Sequence, residues 1–342
     1  MNNFAIMNIL VATNHLQFTG GTETYTFALA VELMRQGYDV EYFAFDRGES
    51  SKLLEAAGVP YMSRKKYDLI LANHKPVVNY LQACGYIIQT CHGMCHALEQ
   101  PSRFADDYVA VTEEIREYLM NKGITASVIH NGVDCNRFCP QNRINDKLSS
   151  VLSLCQSDAA NEFIADCCRE LGVSFISCNK YTDNVWEIED KINQVDMVVG
   201  IGRSLYDSMA CGRCVLSYDN RDYIDQAIGD GYLIADNFDR ALIHNCSGRG
   251  CRRTFTREEF IDELKKYNPC DGDWAREIAL EKLNIIKVAQ TYLSIYQENA
   301  GRQGRWFWIR CRKYFRSVFL WFKVPARFIR DSLRSVRRRI AS

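Results

Sequence analysis

Short apolar runs alternate with helical patterns along this chain, and after residue 147 the alternation starts a second time. Asn8 to Ala12, Val40 to Phe45, Leu69 to Ala72, Tyr86 to Gln89, Tyr108 to Val111 and Ser127 to Ile129 read as strands. Helical patterns lie between them over Thr22 to Arg35, Val77 to Ala83 and Glu113 to Asn121. Strands that alternate with helices build a parallel sheet covered on both faces. A polar break, Pro140 to Lys147, ends the first unit. Beyond it Val151 to Cys155, Ser174 to Cys178, Met197 to Gly200 and Val215 to Tyr218 again read as strands, with helices over Ala160 to Leu171, Val185 to Ile192 and Ser204 to Ala210. The pattern predicts an α/β protein of two doubly wound, Rossmann-like domains, residues 1–142 and 143–273, facing a cleft. One long helical stretch, Trp274 to Gln297, is expected to close the body within residues 274–300.

With 342 residues, 47% of them hydrophobic and 25% charged, each unit can bury its own core, and wholesale disorder is excluded. No uninterrupted apolar run approaches the roughly 20 residues of a spanning helix. The opening MNNFAIMNILVA has neither a basic n-region nor a small-residue cleavage site, so it reads as a strand. The 15 cysteines have no repeating spacing and include the adjacent Cys167 and Cys168. They are expected to be reduced thiols of a cytoplasmic protein.

Two glycine segments sit where strands hand over to helices. Gly20-Gly21-Thr22-Glu23 follows the first strand, and paired glycines there permit a tight turn in front of a helix N-terminus that offers N–H groups to an anion. A glycine turn capped by Thr22 explains the same residues without a ligand. Gly200-Ile201-Gly202-Arg203-Ser204 repeats the arrangement in the second unit. Arg203 adds a cation suited to phosphate oxygens, and Ser204 is placed to cap the helix. Asp207, one turn further on, suits the hydroxyls of a ribose, or serves only the helix dipole.

These segments, together with Val128-Ile129-His130-Asn131-Gly132-Val133-Asp134 leading to Arg137-Phe138 and Pro140, and with Asp207-Ser208-Met209-Ala210-Cys211-Gly212, stand in the order found in a known family. The chain resembles the family 4 glycosyltransferases of the GT-B fold, over roughly residues 7–298. Asn131 to Pro140 is similar to the family's NGVD…RF.P segment at the domain junction, and Asp207 to Gly212 to its EAMACG. The resemblance implies an acceptor-side first domain, a nucleotide-sugar second domain and a final helix that crosses back. It implies that Gly20, Gly21, Gly200, Gly202, Arg203, Ser204 and Asp207 bind the donor. Glu23, Asn131 and Gly132 would lie at the cleft and junction. Thr90-Cys91-His92-Gly93 is similar to a strand-end His-Gly whose histidine faces the donor sugar, which makes His92 the catalytic candidate. The donor site is degenerate: Asp207 replaces a glutamate, Val199 stands where its partner glutamate is expected, and Cys155 to Ala160 lacks the family's Gly-Arg and following Lys.

Other clusters carry alternatives. Cys91, His92, Cys95 and His96 are metal-ligand types at a spacing unlike standard zinc sites, and a reduced loop is the expected reading. Asp271-Gly272-Asp273 matches the metal-binding D-x-D of a different glycosyltransferase fold, but it precedes a helix, where aspartates act as caps, and the cap is the expected reading. No metal and no cofactor are expected; the nucleotide sugar is a co-substrate.

The charge is segregated. Residues 301–342 carry 13 Lys or Arg against Asp331 alone, although the whole chain has 42 of each sign. Nine aromatics lie between Trp306 and Phe328, and the basic and apolar positions recur at helical spacing. Trp306, Trp308, Arg312, Arg316, Phe319, Trp321, Lys323 and Arg327 read as an amphipathic helical surface for an anionic membrane. A helix packed on the acidic body and a nucleic-acid tail are the alternatives, the latter without a motif in the body. The whole predicts a cytoplasmic glycosyltransferase, peripheral on the inner face of the plasma membrane. It would move a sugar from a nucleoside-diphosphate donor to a glycan or lipid-linked acceptor in surface polysaccharide or lipopolysaccharide biosynthesis. The alternative is a catalytically degenerate GT-B protein that binds a glycan, nucleotide or partner.

Overall fold

The computed structural model describes residues 6–179, 181–183, 185–220 and 226–300. The first unit runs β1 (Asn8–Leu16), α1 (Gly21–Arg35), β2 (Asp39–Arg47), α2 (Glu49–Ala56), β3 (Leu69–Ala72), α3 (Lys75–Leu81), β4 (Tyr86–Cys91), β5 (Asp107–Ala110), α4 (Glu113–Asn121) and β6 (Ser127–Val128). Its six strands are parallel, in the order β2-β1-β3-β4-β5-β6. Alternation along β1 divides its side chains between two cores. Ile9 and Val11 pack under α1, and Leu10 and Ala12 pack beneath α3 with Val77, Val78 and Leu81. The sequence pattern overlooks α2 because ESSKLLEA is polar. It forms because the Ser51 hydroxyl accepts the Gly48 N–H at 3.0 Å and Leu54 is fully buried.

The second unit comprises β7 (Ser150–Ser153), α5 (Asp158–Leu171), β8 (Ser174–Ser177), α6 (Ile188–Ile192), β9 (Met197–Gly200), α7 (Arg203–Ala210), β10 (Cys214–Asp219), β11 (Ile228–Tyr232), α8 (Ala235–Leu242) and α9 (Arg257–Lys265). The sheet order is β11-β10-β9-β7-β8, with β11 antiparallel on the edge. Of the helix expected over Val185 to Ile192, only Ile188–Ile192 is helical. The edge strand, IGDGY, escapes pattern reading because two glycines interrupt its apolar character.

The stretch expected to be one helix from Trp274 to Gln297 is divided. It consists of α10 (Cys270–Ile278), a π-helical turn over Ala279–Leu283, and α11 (Ile285–Ala300), separated by Asn284 in extended conformation. The break follows from a contact made 150 residues away in sequence: Val133 N–H donates to Leu283 O at 2.7 Å, and Ile285 N–H to Val133 O at 2.9 Å. Helical hydrogen bonding cannot continue where the backbone bridges to another strand. Beyond this bridge α11 joins the first unit's core through Ile285, Val288, Ala289, Tyr292 and Leu293. Gly132 allows the crossing, since a Cβ there would lie 2.7 Å from Ile285 Cδ1.

Asp134 and Arg137 reinforce the junction. Asp134 accepts the Asn136 N–H through Oδ1 and Arg35 Nη1 through Oδ2 at 2.8 Å. Arg137 stacks on Trp186 and is paired with Glu189. Arg276 ties α10 to the same segment through the carbonyls of Cys135, Phe138 and Ala210.

Candidate functional site

In a parallel sheet, ligands bind outside the carboxyl ends of strands where the strand order reverses direction. The first sheet reverses between β1 and β3, the second between β7 and β9, and both reversal points open on one cleft between the units. Thr19, Gly20, Gly21 and Thr24 line one wall; Leu154, Gln156, Arg203, Ser204 and Asp207 line the other. The cleft is open to solvent, and the space within it, solvent included, is about 650 Å³.

Two helices point their N-termini into this space. Gly20 precedes α1 and Gly202 precedes α7, and neither helix has a side-chain cap. Thr112, Ser157 and Thr256 cap α4, α5 and α9, while α3, α6 and α10 also lack a side-chain cap, so α1 and α7 are set apart by a glycine in the cap position at the cleft. Thr22 and Ser204, expected as caps, lie inside their helices, because the chain enters each helix through the glycine before it. The first N–H groups of a helix have no partner within it, and its dipole adds positive potential there. Two such termini on one cleft make an anion site.

The glycines differ in their reasons. Gly202 has φ +57, and a Cβ would sit 2.5 Å from Asn245 Nδ2. Gly200 lets β9 pack on α7, since its Cβ would meet that of Ser204 at 3.2 Å. Gly21 faces open space. Gly20 is in extended backbone and needs no positive φ; a Cβ there would meet the Glu23 carboxylate.

Arg203 and Asp207 form a buried pair, with Nε 3.4 Å from Asp207 Oδ2. Arg203 Nη1 donates to Gly132 O at 2.8 Å, which fixes the guanidinium across the domain junction. Asp207 Oδ1 is buried without a hydrogen-bond partner. Burial pushes the Asp207 carboxyl up to about 6, against the pull of Arg203 and Arg137. An unmatched buried oxygen on a cleft wall is what a ligand donor would satisfy.

His92 follows β4 on the first unit's side and is half-buried. Its Nε2 lies 3.1 Å from Asn73 Oδ1, and Tyr25 meets its ring edge-on at 5.3 Å. Asn73 Nδ2 donates to Thr26 Oγ1 at 2.8 Å, so its Oδ1 accepts the Nε2–H of His92, and the side chain of Asn131 is a second hydrogen-bonding neighbour of the ring. Tyr25 is held in turn by a hydroxyl chain: its OH donates to Tyr292 OH at 2.9 Å, and Tyr292 OH meets Thr90 Oγ1 at 2.7 Å. The closing helix thereby supports the histidine. Burial, with His74 and Arg203 nearby, pushes His92 down to about 3, so the ring is neutral.

Three further histidines find their partners in the fold. His15 pairs with Glu23 at 3.0 Å and stacks on His74. His74 Nδ1 accepts from the Asn14 N–H at 3.1 Å, and burial lowers its pKa to about 4. His130 Nδ1 bonds Val111 O. Glu23 is buried beside Gly20 and engaged with His15, Asn131 faces His92, and Gly132 anchors Arg203. Asn73, Tyr25 and Tyr292 carried no sequence signal, because their roles rest on contacts distant in the chain.

Cys91 is a buried strand residue whose thiol is pushed up to about 12 by burial, and no group of three or more metal-ligand side chains converges among the described residues. Asp271 lies in the first turn of α10 rather than before it, and accepts from Tyr232 OH at 2.9 Å. Trp306, Trp308, Arg312, Arg316, Phe319, Trp321, Lys323 and Arg327 lie outside the described residues. No described helix is long and apolar enough to cross a membrane.

No sequence-family model matches the chain, and no characterised protein matches it by sequence. Solved structures do match in fold. Anabaena HepE in complex with UDP aligns over 85% of this chain and 100% of its own at 14% identity, with a TM-score of 0.59. AviGT4, a glycosyltransferase involved in avilamycin A biosynthesis, aligns over 86% and 98% at 12% identity and 0.53. A putative UDP-N-acetylglucosamine 2-epimerase from Listeria monocytogenes aligns over 87% and 98% at 10% identity and 0.56. The architecture is the GT-B fold of two Rossmann-like domains.

Proposed function

We propose that the chain is a glycosyltransferase that takes its sugar from a nucleoside-diphosphate donor bound in the cleft. The observation that carries this reading is the pair of uncapped helix N-termini, α1 and α7, converging with Arg203 on one cavity. The departing diphosphate is the group that such a field stabilises as the glycosidic bond breaks. Asp207 would accept hydrogen bonds from the ribose through its unmatched Oδ1. His92, neutral and held between Asn73 and Asn131, would orient a donor or acceptor hydroxyl. A neutral ring also avoids placing a cation against the oxocarbenium-like sugar of the transition state. We further infer retention of anomeric configuration and no requirement for a metal, on the family resemblance alone.

A second reading keeps the fold and drops the chemistry: a nucleotide- or glycan-binding module. The β7–α5 turn favours it, because Ser157 caps α5 and Gln156 stands where a cation would grip a diphosphate. The same fold serves the epimerase among the structural neighbours, so nucleotide binding cannot by itself assign transfer. Calorimetry with UDP and GDP, followed by product analysis with a panel of nucleotide sugars and glycan acceptors, separates these. Transfer that is lost in Arg203→Ala supports the enzyme; UDP binding without transfer supports the module; no nucleotide affinity sinks the donor site.

For residues 301–342 we infer the membrane role read from their charge and aromatic pattern, at the cytoplasmic face and toward a glycan or lipid-linked acceptor of surface polysaccharide assembly. Sedimentation with anionic liposomes tests it. The intact chain should pellet, and a chain ending at Ala300 should stay in solution.

A further inference from the structure

Beside His92 lies a second, partly open cavity whose space, solvent included, is about 740 Å³. Its walls come from both units: His92, Glu99 and the intervening loop on one side, Asn245 and Arg249 on the other. His92 feels Arg203 of the first cleft, and Asn245 abuts Gly202 at the start of α7, so the two cavities share a wall.

The walls are held firmly. Glu114 accepts a hydrogen bond from Arg249 Nη2 at 2.5 Å and lies 3.1 Å from His244, and its N–H donates to Ile243 O, which clamps the units behind the cavity. Gln100 secures the loop after His92, donating to Met94 O at 2.7 Å while Tyr118 OH donates to its Oε1 at 2.6 Å. Arg249 is thus already committed to a carboxylate.

Besides the imidazoles of His92 and His96, two side chains of this cavity are placed to meet a ligand. Glu99 is half-buried; its N–H donates to His96 O, while its carboxylate accepts no hydrogen bond among the described residues and has His96 as its charged neighbour. It fits there because Gly93 has no Cβ, which would otherwise collide with its carboxylate. Asn245 is held at φ +60, followed by the fully buried Cys246 at φ +47. Consecutive left-handed residues without glycine store strain, and such strain collects where a side chain must be aimed. Tyr206 OH donates to Asn245 Oδ1 at 3.0 Å, so Nδ2 is the group that remains to donate.

A carboxylate, an amide donor and a neutral imidazole around one cavity match the hydroxyls of an uncharged sugar. An anionic group would meet Glu99 and find Arg249 already paired. We propose that this second cavity binds the acceptor as a neutral saccharide, with Glu99 accepting from its hydroxyls and Asn245 donating to them, next to His92. The proposal rests on the glycosyltransferase reading and adds to it the class of acceptor and two specificity-determining residues.

Saturation-transfer NMR on the full chain, with methyl glycosides of glucose, galactose, mannose and N-acetylglucosamine, tests this against glucuronic acid and glucose 6-phosphate. UDP affinity is measured in parallel by calorimetry. At least one neutral glycoside should bind, and Glu99→Gln and Asn245→Gly should each weaken it at least tenfold with UDP affinity unchanged within twofold. Glycine tolerates the backbone angle at 245, and unchanged UDP affinity shows that losing the Tyr206 hydrogen bond has left the variant folded. Absence of neutral-glycoside binding, stronger binding of an anionic sugar, or unaffected variants would overturn the proposal, as would loss of both ligands in both variants. Glycoside binding without UDP affinity would sink the donor site and leave this cavity standing.

Discussion

Asp207 should make donor binding depend on pH in a direction that the structure dictates. Burial holds its carboxyl at about 6 in the free protein. Only the ionised form offers Oδ1 as a full acceptor to ribose hydroxyls, so affinity should rise with pH. At pH 5 about one molecule in eleven is ionised and at pH 7 about ten in eleven, which predicts an apparent affinity about tenfold higher at pH 7. That factor corresponds to about 1.4 kcal/mol. Calorimetry should use UDP-glucose rather than UDP, because a terminal phosphate monoester itself titrates near pH 6 and would mask the effect. Asp207→Asn should flatten the profile. A flat or falling profile in the native chain, or an undiminished tenfold rise in the variant, would refute the assignment of Asp207 to the ribose.

Three further outcomes follow from the packing. Gly202→Ala, forced to φ +57 and against Asn245, should lose about 1–3 kcal/mol in thermal unfolding, whereas Gly21→Ala, facing open space, should unfold like the native chain. Tyr292→Phe removes the hydroxyl between Tyr25 and Thr90 and should cost about 1–3 kcal/mol in denaturant titration, since it strands buried hydroxyls beneath His92. Gln156→Arg should tighten UDP binding by about tenfold in calorimetry, because a charge-assisted hydrogen bond is worth about 1.5–3 kcal/mol and this position lines the cleft opposite Gly20.

The parts of this protein legible from sequence are those governed by near neighbours. A short apolar run bounded by polar residues, as in Leu69 to Ala72, fits a strand covered on both faces. The order of such runs, with helices between them, leaves few arrangements other than parallel sheets, and the glycine turns at the strand ends mark where those sheets open. The same locality explains why α1 and α7 could be placed while their capping could not. Thr22 and Ser204 are capping residues by type, but the path by which the chain enters each helix puts the glycine at the cap.

What tertiary structure alone decided depends on pairs far apart in the chain. Asn284 breaks a helix only because Val133 takes up the neighbouring backbone hydrogen bonds, and no pattern around residue 284 records that contact. His15, His74 and His92 come from three different strand ends and become neighbours only when the sheet forms. Tyr292 supports Tyr25 across 267 residues, and Glu99 and Asn245 face one cavity from different domains. The burial that lowers His92 to about 3 and raises Asp207 to about 6 is a property of the assembled walls, not of either residue. Hydrophobic periodicity is a local signal, because each residue's face is set by its own helix or strand. Desolvation and polar pairing are set by whatever the folded chain brings alongside, and that is where the chemistry of this site resides.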